Sequence, residues 1–243
     1  MYQEILKKKL IWQSRKPYQL ELRKQIKNEE LCELIYTSLR LDGSTIKKEN
    51  VQQILDGEFV VAGTTVNDHL AIQNYIEAVS LMDNLIDMES DLSLKVIEEI
   101  HDINCGSEGP IWRKHNPILY TFDYTPPAWR DIESKMQEFI KWTYNSDNTL
   151  NGNVILKAVY IHNKLIEIYP FEYNGESTAR LVMYYFLRRE GFPMFEMRVS
   201  ETEYNNYIFE YLHGKKVDGL YKLLERGIYN KLDVLIQRTE KNE

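Results

Sequence analysis

Val154, Ala158, Ile161, Leu165 and Ile168 stand four, three, four and three residues apart, and Pro170 follows. That spacing lines one face of a helix, and the proline bars its continuation. The rhythm recurs between Asn67 and Asp87, at Ile72, Ile76, Val79, Met82 and Ile86. Further helices are expected at residues 29 to 41, 92 to 104, 128 to 144, 178 to 189, 201 to 213 and 216 to 236. A break at Asp42-Gly43 is followed by Ser44 or Thr45, either of which can cap a helix reaching about Leu55. One stretch departs from the pattern: Gly109 to Pro127, "GPIWRKHNPILYTFDYTPP". Its apolar and aromatic run from Ile118 to Phe122 suits an extended strand or hairpin, and Pro126-Pro127 stops it. With seven prolines, 11 glycines and no repeat or linker in 243 residues, the expectation is one mostly helical domain with a small β-hairpin.

The apolar fraction is 43% and the charged fraction 28%, ordinary for a soluble chain long enough to build a core. A net charge of −7 disfavours a general role on nucleic acid or on an anionic membrane. No apolar run approaches the roughly 20 residues of a membrane span. The start, "MYQEILKKKLIWQSRK", is basic but has neither a continuous apolar stretch nor a small-residue cleavage site, so it does not read as a secretory signal. Cys32 and Cys105 lack metal-ligand spacing and read as reduced thiols of a cytoplasmic protein, with no metal site expected.

The stretch "IYPFEYNGESTARLVMYYF", residues 168 to 186, joins two of the expected helices. Helix N-termini present unpaired N–H groups and a partial positive charge, and a small-residue loop ahead of them lets amides close on a phosphate. Asn174-Gly175 permits such a turn, Ser177 or Thr178 can cap the helix, and Arg180 could reach an anion held there. The plainer reading of the same residues is an ordinary helix–loop–helix joint.

The order of elements around this loop resembles the Fic family. Its motif, H-P-F-x-[D/E]-G-N-G-R-x-x-R, aligns without a gap on "YPFEYNGESTAR", matching at Pro170, Phe171 and Arg180. The helices on either side, "AVYIHNKLIEIYPF" and "TARLVMYYFLRREGFP", are similar to the family's. "IYTSLRLDGSTIKKENV" resembles its N-terminal segment, and the hairpin with "TPP" resembles its target-binding flap, at Ile118, Leu119, Tyr120 and Thr121. The resemblance implies a Fic-like (Fido) helical domain with a β-hairpin flap at residues 29–236. An inhibitory-helix-like segment would occupy 29–43, with an extension at 1–28 and a tail at 237–243.

Such enzymes mostly transfer AMP from ATP to a hydroxyl on a target protein, and the resemblance assigns each motif position a job. Tyr169 stands where the family has its histidine base. With a free pKa of about 10, only about one tyrosine in a thousand is ionised at pH 7. Tyr173 stands where an acidic residue binds magnesium, and a neutral phenol is a poor ligand for that hard cation. Asn174 and Glu176 replace glycines, Ser177 replaces the first arginine, and Arg180 keeps the second. Glu176 brings negative charge to the anion's place and is expected to lie over the helix N-terminus itself. Losing a positioned base alone costs about 10²–10⁴ in rate. ATP with magnesium is thus disfavoured, although the cofactor stays open. The residues expected to line any chemistry are Tyr169, Glu172, Asn174, Gly175, Glu176, Ser177 and Arg180.

The family also carries a glutamate in [S/T]-x-x-x-E-[G/N] that pairs with the second arginine and blocks nucleotide binding. Ser38, Asp42 and Gly43 have that spacing, so an Asp42–Arg180 contact is expected, from a carboxylate one methylene shorter; the plainer reading is a helix ending in an Asp-Gly turn. His101 and His162 read as packed or surface histidines, with His162 a conceivable displaced base. Tyr120, Tyr124 and Tyr173 are expected by the resemblance near the flap and loop mouth. Three functions remain: a transferase of altered donor acting on a protein or small molecule, a silent partner-binding or regulatory module, and weak AMP transfer.

Overall fold

The computed structural model describes residues 1–106, 112–146 and 149–240; the first residues of the flap stretch, 109–111, and the end of the tail, 241–243, lie outside them. Ten α-helices run through the described residues: α1 (Tyr2–Ser14), α2 (Leu20–Leu41), α3 (Lys48–Leu55), α4 (Val66–Asp87), α5 (Leu94–Asn104), α6 (Ile132–Asn145), α7 (Val154–Ile168), α8 (Gly175–Arg189), α9 (Glu201–Gly214) and α10 (Asp218–Arg238). The centre is the α7–α8 pair. α4 and α5 cover α8, while α6, α9 and α10 cover α7. Every α8 residue from Ser177 to Leu187 is buried, including Tyr184 and Tyr185. Their hydroxyls donate to the carbonyls of Phe195 (2.7 Å) and Ser90 (2.5 Å), so the rings can be buried without orphaning a polar atom.

The helix ends show where local chemistry overrode periodicity. α4 starts on a capping box: Thr65 Oγ1 accepts from Asp68 N at 3.1 Å, and Asp68 Oδ2 accepts from Thr65 N at 2.8 Å. α3 starts at Lys48 and not on Ser44 or Thr45, because Ser44 is bound into the end of α2. Ser44 N donates to Leu39 O and Gly43 N to Arg40 O, with Gly43 left-handed at φ 85°. α2 begins at Leu20, ahead of the expected residue 29, and α1 was not foreseen at all. Two of its lysines obscure the pattern: Lys8 pairs with Asp233 of α10, and Lys9 donates to the carbonyl of Glu190, while Ile5 and Trp12 are buried.

The flap departs from the expected β-hairpin. No strand occurs among the described residues; Leu119 and Tyr124 form one isolated antiparallel bridge around a turn of 3-10 helix at Tyr120–Phe122. Alternation would have placed Ile118, Tyr120 and Phe122 on one face. Instead Leu119 and Phe122 are buried, three residues apart, and Ile118 and Tyr120 face solvent with Thr121. The coil lets Phe122 O accept from His213 of α9 at 3.0 Å.

Arg113 fastens this segment to the loop after α7. It is 1% exposed, and its guanidinium donates to the carbonyls of Tyr169 (2.6 Å), His115 (2.7 Å), Pro127 (2.5 Å) and Ile168 (3.4 Å). Its own N–H donates to Pro170 O. Two of those carbonyls end α7, where the helix dipole is negative, which suits a buried cation. Arg113→Met orphans these acceptors at once. We expect a loss of about 3–5 kcal/mol, which at this size lowers Tm by roughly 10 °C, and faster proteolysis within residues 112–127. Differential scanning calorimetry and limited trypsinolysis check this; an unchanged melting point would show the clamp to be dispensable.

Candidate functional site

Two left-handed residues bracket the loop between α7 and α8: Tyr169 at φ 47° and Asn174 at φ 53°. Asparagine takes that conformation easily; tyrosine seldom does. The Tyr169 amide donates to Leu165 O at 2.8 Å and ends α7, while its ring lies across the start of α8, where a Cβ on Gly175 would come within 3.1 Å of it. Burial, reinforced by the nearby Glu176, pushes the Tyr169 hydroxyl up to about 12. It is therefore a proton donor at neutral pH, not a base.

α8 starts at Gly175, ahead of Ser177 and Thr178, and Asn174 occupies the cap position without a side-chain cap bond. Its amide is engaged elsewhere: Nδ2 donates to Asn104 O (3.1 Å) and contacts Cys105 Sγ (3.5 Å) at the end of α5. Ser177 and Thr178 face the same helix end: Asn104 Nδ2 donates to Ser177 Oγ at 2.8 Å, and His101 Nδ1 lies 3.1 Å from Thr178 Oγ1. Glu176 bonds its own backbone N–H through its carboxylate, and burial raises its pKa. An acid thus stands in the first turn of α8.

Arg180 is 1% exposed and meets Asp42 across the molecule: Nη2 donates to Oδ1 at 2.5 Å and to Oδ2 at 2.6 Å. Ser38 adds two acceptors, Oγ to Nε and its carbonyl to Nη2, both at 3.3 Å. Burial by itself would lower the arginine's pKa, but Asp42 and the rings of Tyr204 and Tyr75 hold it well above its usual value. The expected contact is therefore present, with both oxygens of the shorter carboxylate converging on one nitrogen. Arg180 Nη1 is buried without a hydrogen-bond partner.

Beside this pair lies a cavity of about 760 Å3, lined by four asparagines (Asn67, Asn74, Asn104, Asn174), Ser177, Tyr75, Cys105 and two carboxylates, Asp42 and Asp68. Among the described residues no lysine or arginine lines it. Glu172 stands outside, its Oε2 3.0 Å from His115 Nδ1. Tyr173 and Tyr120 are exposed, and Tyr124 donates to Glu167 O at 3.3 Å. His162 is not a displaced base: it is fully buried between Asn163 Oδ1 (2.8 Å) and Tyr204 Oη (2.5 Å). Arg113, Asn104 and Tyr204 were not singled out from sequence, because their partners are carbonyls and side chains distant along the chain. Among the described residues no cluster of three or more His, Cys, Asp or Glu is placed to hold a metal, and no helix is long and apolar enough to cross a membrane.

Burial pushes His101 and His162 each down to about 4, and pushes Glu30 up to about 7. The histidines' folded pKa is below the unfolded value of about 6.5, so their contribution is full above 6.5 and lost as pH falls toward 4. Glu30 runs oppositely, because the native state takes up its proton first. With two histidines against one glutamate, stability should fall between pH 6.5 and 4.5 by about one net proton, or ~1.4 kcal/mol per pH unit. His162→Gln should flatten that slope to near zero. Urea melts at pH 7, 6 and 5 measure it, and an unchanged slope in the variant would mean that His162 titrates normally in the folded protein.

Residues 91–187 match the model of the Fic/DOC family. The chain is 28% identical over 199 residues to the protein adenylyltransferase Fic of Nematostella vectensis, covering 80% of this chain and 46% of that protein. It is 28% identical over 174 residues to the protein of the same name in Drosophila melanogaster, covering 70% of this chain and 35% of that one. The chain spans less than half the length of these relatives. A Fic domain containing signaling protein from Bacteroides thetaiotaomicron superposes with a TM-score of 0.78 at 17% identity, covering 98% of this chain and 99% of that one. Fic-1 from C. elegans does so at 0.77 and 18%, covering 98% and 70%. At such identities the structural likeness is one of fold. The flap and the loop fall within the matched span: residues 91–187 are similar to the Fic/DOC family, and the chain has the Fido fold of the Fic-domain structures on which it superposes.

Proposed function

We propose that this protein is a Fic-type transferase with altered donor specificity, held latent by Asp42. It would move a phosphate-containing group from a donor other than ATP with magnesium onto a protein or small-molecule target. The carrying observation is the Asp42–Arg180 pair itself. An ion pair whose arginine is buried and whose carboxylate is 36% exposed is often no more stabilising than apolar packing in its place. Retaining one at the rim of a ligand-sized cavity is reasonable where the arginine must meet an anion once Asp42 withdraws. The missing base and metal ligand argue against ordinary AMP transfer: Tyr169 is held neutral, and Tyr173 is an exposed phenol. The chemistry fits a cytoplasmic setting, with neither nucleic acid nor membrane as partner.

One observation favours a second reading. Glu176 bonds its own amide where a donor phosphate would sit, as expected of a silent Fic-like module that binds or regulates a partner. Weak AMP transfer is the third reading, and the neutral Tyr169 and exposed Tyr173 at the base and metal-ligand positions count against it.

A thermal-shift panel of nucleotides, nucleotide sugars and other diphosphates, with and without magnesium, separates the three. On the transferase reading, a compound other than ATP stabilises Asp42→Ala far more than wild type, and Arg180→Ala abolishes the shift. A ligand at 100 times its Kd adds about 2.7 kcal/mol, which is readily resolved. Silence across the panel in Asp42→Ala would leave the partner-binding module, and labelled transfer from ATP would establish the third reading.

A further inference from the structure

Large apolar side chains stand out into solvent on the connection from α3 to α4 and on the start of α4: Phe59 (93% exposed), Val60 (90%), Val66 (76%) and Leu70 (58%). Val66 and Leu70 are one helical turn apart and share a face of α4. Single exposed apolar residues are ordinary, but a group of them marks a contact surface. The connection that carries Phe59 and Val60 is an ordered one. Glu58 N donates to Gln53 O at 3.0 Å, Ala62 O accepts from Asn50 Nδ2 at 3.2 Å, and the next residue, Val61, is buried. Two apolar side chains are thus held outward by a fixed backbone, the arrangement that loses least entropy when a partner arrives.

Charge selects that partner. From Glu49 to Asp68 the chain carries four acids, Glu49, Asp56, Glu58 and Asp68, and no Lys, Arg or His. Among the described residues none of the four enters an ion pair. Asp56 and Glu58, both exposed, are met by the neutral amides of Asn28, Gln52 and Gln53, which leave their charge uncancelled. A second copy placed on this face by a two-fold axis would bring these acids against their own kind, and an anionic membrane would repel them as well.

We propose that this face docks a protein segment whose apolar side is flanked by lysines and arginines, with Phe59 and Val60 as its anchors. Leu70, together with Thr65, Asn67 and Asp68, also lines the large cavity, so the docked segment lies at the mouth of the cavity that Asp42 lines. The docking needs no donor and holds for the transferase and for the silent module alike.

The test uses the full chain and two fluorescent peptides: a short amphipathic helix of leucine and lysine, and the same peptide with glutamate for lysine. Anisotropy should show saturable binding of the first and none of the second. The double variant Phe59→Ser, Val60→Ser should weaken that binding about tenfold or more, as should Asp56→Asn, Glu58→Gln. All four positions are exposed, so both variants should keep the wild-type Tm. Glu133→Gln, Glu201→Gln removes two exposed acids elsewhere and should leave the affinity unchanged. An equal loss in that control would reduce the binding to general attraction by an acidic protein and overturn the proposal. So would tight binding of the glutamate peptide, or no binding of the lysine peptide. A wild-type dimer in sedimentation that Phe59→Ser, Val60→Ser dissolves would overturn it too, by making a second copy the occupant.

Discussion

Arg180 is a charge that the interior must accommodate. It projects from the most deeply buried helix, and its neighbours come from elements far apart in sequence: Ser38 and Asp42 at the end of α2, and the Tyr204 ring of α9, 5.7 Å from the guanidinium carbon. A guanidinium out of water demands a counter-charge and several acceptors. α2 therefore cannot slide along α8 without exposing the arginine or orphaning it. The register of these helices, the αL turn at Gly43 and the mouth of the large cavity all follow from where that one charge is neutralised.

The loop ahead of α8 is closed by its own residues. Asn174 is turned toward α5, Glu176 bonds its own N–H, and the Tyr169 ring rests on Gly175. Arg113 holds the loop from behind through backbone carbonyls, a mode of recognition indifferent to the side chains it passes. A loop braced through its backbone keeps its path while its side chains change.

How much of this could be read from the sequence depended on the range of the interaction. The long helices were legible because burial alone sets a period of 3.6, as at Val154 to Ile168. Helix starts were less so: Asn174 starts α8 in a left-handed conformation, and Ser44 is drawn into the end of α2. The flap was misjudged because Leu119 and Phe122 bury at a spacing of three, which a short aromatic run does not distinguish from alternation. α1 was hidden because Lys8 and Lys9 find partners on α10 and after α8, contacts separated by more than 180 residues. Of the site, the Asp42–Arg180 pair and the place of Glu176 were legible through the resemblance. Arg113 was not, because carbonyl acceptors leave no side-chain signature.

The contact between the Tyr169 ring and Gly175 has a consequence for how this loop can change. A side chain at 175 would press into the ring, whose atoms are the nearest to it at 3.1 to 3.5 Å. A smaller residue at 169 removes the obstacle. The two positions are therefore coupled: enlarging residue 175 calls for the ring at 169 to give by a few tenths of an ångström or to be replaced by something smaller. The glycine here is conditional on its neighbour, so substitutions at the two positions are felt together, through steric contact as much as through chemistry.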